Sequence, residues 1–210
     1  MRRVPPTKTS LLKLKSELGF ARLGHELLDQ KRNILIMELL SLVDQAVDFQ
    51  ERTDTALADA YGTLEEAALR MGRLEVMNLG RAIAIDAEIG ITQRRVMGVQ
   101  LPVVETRFEE HPPYYSPEAT TFWIDEASNL FKEALKVMGR LAELKISIVR
   151  LAAEVRRTIR KVNALEKIAI PDLEETVHYV NSRLEENERE MFVLMKMVKS
   201  RLESRKEQGL

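Results

Sequence analysis

Glu175-Thr-Val-His178 sets a carboxylate and an imidazole three residues apart, on one face of any helix that contains them. Di-iron bundles hold metal with that step, but they need two copies and two further carboxylates, and no second Glu-x-x-His occurs in the chain. The motif is therefore read as a surface pair. His25-Glu26 lacks the second histidine of a zinc-protease helix. No Gly-x-x-x-x-Gly-Lys-Ser/Thr loop and no Gly-x-Gly-x-x-Gly turn is present, so phosphate has no visible cradle. With no cysteine and three scattered histidines, a nucleophile and its base are not in view. No catalytic, cofactor-binding or metal-binding residues and no cofactor are expected, and the chain is read as not an enzyme by itself.

What remains is charge. Three basic stretches could meet phosphate, or an acidic or carbonyl-lined socket: Arg2, Arg3, Lys8, Lys13 and Lys15; Arg156, Arg157, Arg160 and Lys161; and Lys196, Lys199, Arg201, Arg205 and Lys206. No aromatic stacking platform accompanies them, which argues against nucleic acid. The net charge of -1 across 31% charged residues gives no global field toward nucleic acid or membrane. The missing cysteines fit a reducing compartment. No run of about 18 apolar residues occurs, so no direct membrane insertion is expected.

The elements carrying these residues follow from periodicity. Leu11, Leu14, Leu18, Ala21, Leu28, Leu35, Leu39, Leu42, Ala46, Phe49, Ala56 and Ala60 fall on alternating three- and four-residue steps, interrupted only by His25, Arg32 and Thr53. An average spacing of 3.5 is a coiled-coil seam. A second seam, Leu173, Val177, Val180, Leu184, Asn187, Met191, Leu194 and Val198, closes the chain. Aromatic residues make up 5% of the chain, which favours helix seams over a thick core.

The first helix is expected from about residue 8 to 60, capped by Thr7, Thr9 or Ser10. Gly62 offers a stop, and Thr63-Leu-Glu-Glu66 reads as a capping box restarting a short helix to about Leu79. The apolar run 82–85, Ile89 and Ile91 around Gly90, and the β-branched stretch 96–104 suggest one hairpin, exposed or at an edge because of Pro102. Residues 111–117 must be an extended loop. Helix resumes near Thr121 along Ala127, Phe131, Ala134, Met138, Leu141, Ile148, Ala152, Val155, Ile159 and Val162, with Lys145 the exception. Between Val162 and Leu173 the beat slips by a stutter, and Pro171 inside it predicts a kink or short break.

The fold class is then mainly α: a long antiparallel two-helix coiled coil from the N- and C-terminal segments, with a middle insertion. Its segments are 1–60, an N-terminal helix; 61–120, an insertion with short helix, hairpin and loop; and 121–210, a C-terminal helix. Setting Leu11 beside residue 200 makes paired positions sum to about 211 and places His25 opposite Asn187, and Arg32 near Glu175 or Tyr179. In that register the first and third basic stretches share one tip. The first helix runs out near the level of residue 150, leaving residues 120–150 to pack on the insertion or project. A mostly charged outer face with no large apolar patch is expected.

Several stretches carry a resemblance: Pro6-Thr-Lys-Thr-Ser-Leu-Leu-Lys-Leu-Lys15, Gly24-His-Glu-Leu-Leu-Asp-Gln-Lys-Arg-Asn-Ile-Leu35, Met97-Gly-Val-Gln-Leu-Pro102, and residues 160–177 continued by 184–190. On these the chain resembles the D subunit of the V-type and A-type rotary ATPases, more loosely over residues 61–95 and 105–120. The resemblance implies a non-catalytic central-stalk axle transmitting torque between the A and B subunits of the catalytic hexamer and a membrane ring moving protons or sodium ions. It also implies that the tip of the paired helices enters the hexamer, and that the middle of the chain binds the F subunit and seats on the connector subunit of the ring. The expected location is cytoplasmic, peripheral to the membrane. The basic tip around Lys8, Lys13, Arg201 and Arg205 is expected to touch the hexamer, and the ribbon at 97–104 to meet the F subunit or the connector. A stand-alone coiled-coil adaptor or scaffold is the alternative.

Overall fold

Thr7 begins the first helix. Its hydroxyl accepts the Ser10 amide at 3.1 Å and its carbonyl accepts the Leu11 amide at 3.0 Å, satisfying donors that a helix N-terminus leaves open. The computed structural model describes residues 4–82, 87–108, 115–116 and 120–207. In it α1 spans Lys8–Met71, α2 Arg73–Ala82, β1 Ala87–Val96, β2 Val99–Phe108, α3 Phe122–Ala164 and α4 Ile170–Glu207, with a π-turn at Leu165–Ala169 joining the last two. The fold is mainly helical, as expected. The apolar residues 83–85 and most of the loop at 111–117 lie outside the described residues.

All fifteen positions of the opening seam, from Leu11 to Ala60 and including His25, Arg32 and Thr53, are buried or half-buried. The 3.5 beat is therefore the packing face of α1. The seam runs on past its expected end: Ala60 and Ala67 are fully buried, and the helix passes through Gly62 to Met71. Glycine inside a helix costs about 1 kcal/mol, less than the burial on either side of it returns. The Thr63 hydroxyl donates back to the Asp59 carbonyl at 2.8 Å instead of capping a new helix. The turn falls at Gly72, whose φ of +89° suits glycine.

Contacts divide the chain into two units, Met1–Arg32 with Arg157–Leu210, and Asn33–Arg156. In the first, α1 and α4 pack together around Leu14, Leu173 and Val180, flanked by Leu11, Leu18, Ala21, Val177 and Leu184. Lys8 Nζ meets Glu188 Oε1 at 2.8 Å and Arg22 Nη2 meets Glu174 Oε1 at 2.6 Å, so the helices are antiparallel. These partners sum to 196, not 211. A seven-residue repeat looks the same after any shift by whole heptads, and the register expected from it was displaced by about two. Asn187, level with residues 8 and 9, is exposed and about 24 Å along the helix from His25. The His25–Asn187 pairing is overturned, and so is the placing of Arg32: it pairs with Asp29 at 2.6 Å on its own helix, while Tyr179 lies under the Arg183 guanidinium.

The stutter is real but takes another form. The Ile170 amide donates to the Leu165 carbonyl five residues back, just before Pro171, which has no amide to continue the α pattern. Leu165 and Ala169 are half-buried and Leu173 is buried. The wider π-turn keeps these four-residue steps on one face. Helix continues through Pro171 with no break.

In the second unit, α1 and α3 also run antiparallel. Lys145 Nζ donates to Gln50 Oε1 at 2.9 Å, the Tyr61 and Phe131 rings stand edge to face at 5.2 Å, and the Thr121 hydroxyl reaches Met71 Sδ at 3.1 Å. Residues 120–150 thus pack on the extended end of α1, which corrects the expectation that they lack it. The phase of α3 is corrected as well. Leu144 and Leu151 are buried while Lys145 and Ala152 are exposed, because steps through 141, 144, 148, 151 and 155 keep the same beat and set leucine, not lysine, inside.

Candidate functional site

The β-branched stretch forms the hairpin its composition predicts. Met97 and Gly98 both carry positive φ, +47° and +85°, the two-residue turn whose twist suits antiparallel strands. β1 and β2 pair from Val96↔Val99 to Ala87↔Phe108. Leu101 is fully buried and Pro102 is buried.

Side chains of α3 hold β2 along its length. Arg150 Nη1 donates to the Gln100 carbonyl at 2.9 Å, and the Val104 amide donates to Glu143 Oε2 at 3.0 Å. Glu143 also takes Arg140 and is only 2% exposed. A carboxylate so buried needs both partners, since an uncompensated charge there is costly. One turn back, Gly139 leaves room for Thr106: a Cβ at that glycine would lie 2.6 Å from Thr106 Oγ1. Lys136 Nζ sits 5.7 Å over the Phe108 ring. On the other strand Arg94 reaches Glu38 of α1 at 3.7 Å. Sequence reasoning missed Glu143; its one signal was a glycine and a carboxylate a turn apart on one helix face, space and an acceptor for a strand edge.

The second feature is the end of α4. Because Lys8 lies level with Glu188, α1 has begun there and α4 runs on about 19 residues, or about 28 Å, without it. Met191, Phe192, Val193, Leu194, Met195, Met197, Val198 and Leu202 are each more than half exposed. The last three seam positions, Met191, Leu194 and Val198, are among them. The expected absence of a large apolar patch is overturned. The shared basic tip is overturned too: Lys8 is engaged with Glu188, whose hydrogen bond and charge raise the lysine pKa, and Lys199 and Arg201 stand further along α4. The side chains of Arg205 and Lys206 and all of Arg2 and Arg3 lie outside the described residues.

A third apolar surface lies in the middle of the chain. Leu64, Val76, Leu79, Ile124, Ala127 and Phe131 line a cavity of about 180 Å³ where α1, α2 and α3 meet. Leu69, Leu74, Met77 and Phe122 are exposed on these elements. Tyr115 donates to Asp125 on the first turn of α3, and burial first, then that carboxylate, pushes the phenol up to about 12.

Of the residues first weighed for chemistry, Glu175 and His178 are both exposed, and no cluster of metal-ligating side chains occurs among the described residues. His25 is half-buried, with an Nε2 that has no hydrogen-bond partner. Thr53 donates to the Phe49 carbonyl at 2.7 Å, so that seam interruption is satisfied within its own helix. No described helix is long and apolar enough to cross a membrane. The arrangement has surfaces for partners and no assembled reaction centre among the described residues.

Comparison with known proteins agrees with that reading. The family model for the D subunit of ATP synthase matches residues 10–200. The D subunit of the A-type ATP synthase of Thermococcus sibiricus is 35% identical over 97% of this chain and 96% of its own length. Those of Methanobrevibacter smithii and Methanopyrus kandleri are each 38% identical, over 96% and 97% of this chain and 89% and 88% of theirs.

Proposed function

The chain belongs to the family of ATP synthase D subunits, and on that premise we propose how its surfaces are used. It is the non-catalytic central-stalk subunit of an A-type or V-type rotary ATPase and transmits torque as part of ion transport. In this proposal the end of α4 enters the hexamer of A and B subunits. The middle segment, 61–120 with the helices around it, binds the F subunit and seats on the connector of the membrane ring, and the ribbon at Met97–Val104 meets one of those two. The working location is the cytoplasmic face, peripheral to the membrane. Nucleotide and ion are handled by other subunits.

The unpaired end of α4 carries this reading. Eight apolar side chains without a partner on α1 need cover, and a sleeve of several subunits gives cover without fixing one orientation. Before that end, α4 is interlocked with α1, and two helices packed by knobs and holes resist twisting better than one. The exposed apolar residues beside the middle cavity support a seat on the connector in the same way.

A photoreactive residue at Leu194 in the assembled complex tests the proposal. Crosslinks should go to A or B subunits, and a chain purified from its own cells should carry the A, B and F subunits with it. Crosslinks to the connector or ring subunits alone, or purification free of A and B, would overturn it.

A further inference from the structure

The two edges of the ribbon differ. In a two-residue hairpin the flanking pair, Val96 and Val99, exchanges both hydrogen bonds, and pairing alternates from there. Backbone groups of Gly90, Thr92 and Arg94 therefore point toward β2, while those of Ile89, Ile91, Gln93 and Arg95 point outward. On β2 two outward groups are taken and one donor is missing: Arg150 takes the Gln100 carbonyl, Glu143 takes the Val104 amide, and Pro102 has no amide to leave open. On β1 the outward groups of Ile89, Ile91 and Gln93 have no partner among the described residues, and the strand is exposed along nearly all its length. An open edge of this kind pairs with any extended chain that fits it.

The side chains restrict what fits. Ile89, Ile91, Gln93 and Arg95 share a face with Val104 and Thr106, which approach α3 at Gly139. Ile89 and Ile91, 61% and 68% exposed, carry that apolar face beyond the helix. Arg94, on the opposite face, is taken by Glu38. Arg95 has no carboxylate among the described residues, and like charges would set two copies of this edge against each other.

We infer that the outer edge of β1 receives an extended segment of a partner protein as a third strand. That segment carries apolar side chains at two alternate positions over Ile89 and Ile91, and a carboxylate four residues from the nearer one, opposite Arg95. Backbone pairing supplies affinity and the alternate side chains supply selectivity. The inference rests on the reading that the ribbon faces another subunit of the assembly.

Amide hydrogen exchange, resolved to single residues in the full chain and in the assembled complex, tests it. Gly90, Thr92 and Arg94 should be protected in both. Ile89, Ile91 and Gln93 should exchange at least about tenfold more slowly in the complex, the equivalent of one hydrogen bond of about 1.4 kcal/mol. Equal exchange of these three in both states overturns the inference. Ile91→Pro removes only an outward amide, as Pro102 does on β2, and should return Ile89 and Gln93 to their free rates. Should it also expose Gly90 and Thr92, Arg95→Glu decides instead: protection should fall about tenfold, and unchanged protection overturns the acidic partner. A crosslinker at Gln93 should capture an extended acidic segment of another subunit; capture of a helix or a second copy of this chain counts against it. A chain that never assembles with A and B contradicts the rotor reading, whereas assembly with an unprotected edge contradicts this inference alone.

Discussion

Replacing Gly139 with alanine sets two opposed effects at one point of α3. The new Cβ would lie 2.6 Å from Thr106 Oγ1, with Val104 Cγ1 and Thr106 Cβ at 3.8 and 3.9 Å. Threonine is short and β-branched, and its strand is tied on either side of the contact by Glu143 and Lys136, so the oxygen has little room to withdraw. Overpacking of this kind costs about 1 to 3 kcal/mol, while glycine to alanine inside a helix gains about 1 kcal/mol. The single variant should therefore lose roughly 0 to 2 kcal/mol. Once Thr106→Ala has removed the oxygen, the nearest atom stands at 3.8 Å, an ordinary contact. The same glycine substitution should then stabilise by about 1 kcal/mol. Urea unfolding of the full-length chain, its slope unchanged across the four proteins, gives the coupling energy, expected at about 1 to 3 kcal/mol. Exchange at the Val104 amide should rise in the single variant and fall back in the double. Additivity within about 0.5 kcal/mol would refute the close packing of ribbon on helix.

Gly62, inside α1, and Gly72, between α1 and α2, should answer in opposite directions: Gly62→Ala should stabilise by up to about 1 kcal/mol, and Gly72→Ala, forced to a φ of +89°, should destabilise by about 1 to 2 kcal/mol, both read from unfolding midpoints. Replacing Met191, Leu194 and Val198 together with serine should leave the stability of the isolated chain within about 0.5 kcal/mol, because these side chains are already exposed, yet should lower recovery of A and B subunits with the chain. Leu14→Ala, in the buried core of the helix pair, should cost about 2 to 5 kcal/mol in the same unfolding assay. Tyr115 should ionise near pH 12; the raised pKa makes its contribution complete below pH 10 and lost as pH climbs from there through about 12, and the phenolate absorbance that Tyr115→Phe removes should titrate lower in Asp125→Asn.

Periodicity found the packing face of α1 because fifteen positions keep one unbroken beat from Leu11 to Ala60, whereas the second apolar stripe through Phe20, Leu23, Leu27, Ile34, Met37, Leu40, Val43 and Val47 drifts off that beat and stays exposed. It failed in α3, where Leu141 can be followed by Leu144 or by Lys145 on the same beat, and only contact with α1 and the ribbon decides. It could not fix register at all, since a heptad seam is unchanged by a shift of whole heptads. The overhang of α4 depends on that register, and so the apolar end that carries the proposed function was hidden behind the expectation of a matched pair. Gly62 and Gly72 look alike in sequence; buried Ala60 and Ala67 continue the seam through the first, and the chain turns at the second. Glu143 escaped notice because its partner is a strand amide 39 residues away. Residues 160–177, by contrast, made the family legible before any contact was known.

Torque transmission demands that this chain turn while the A and B subunits stand still. A reporter bead on this chain, with the hexamer held to a surface by its A or B subunits, should rotate in one direction when ATP is supplied and stop when ATP is exhausted. ATP hydrolysis at an undiminished rate, with the bead held fixed against the hexamer, would contradict the role of a rotor axle.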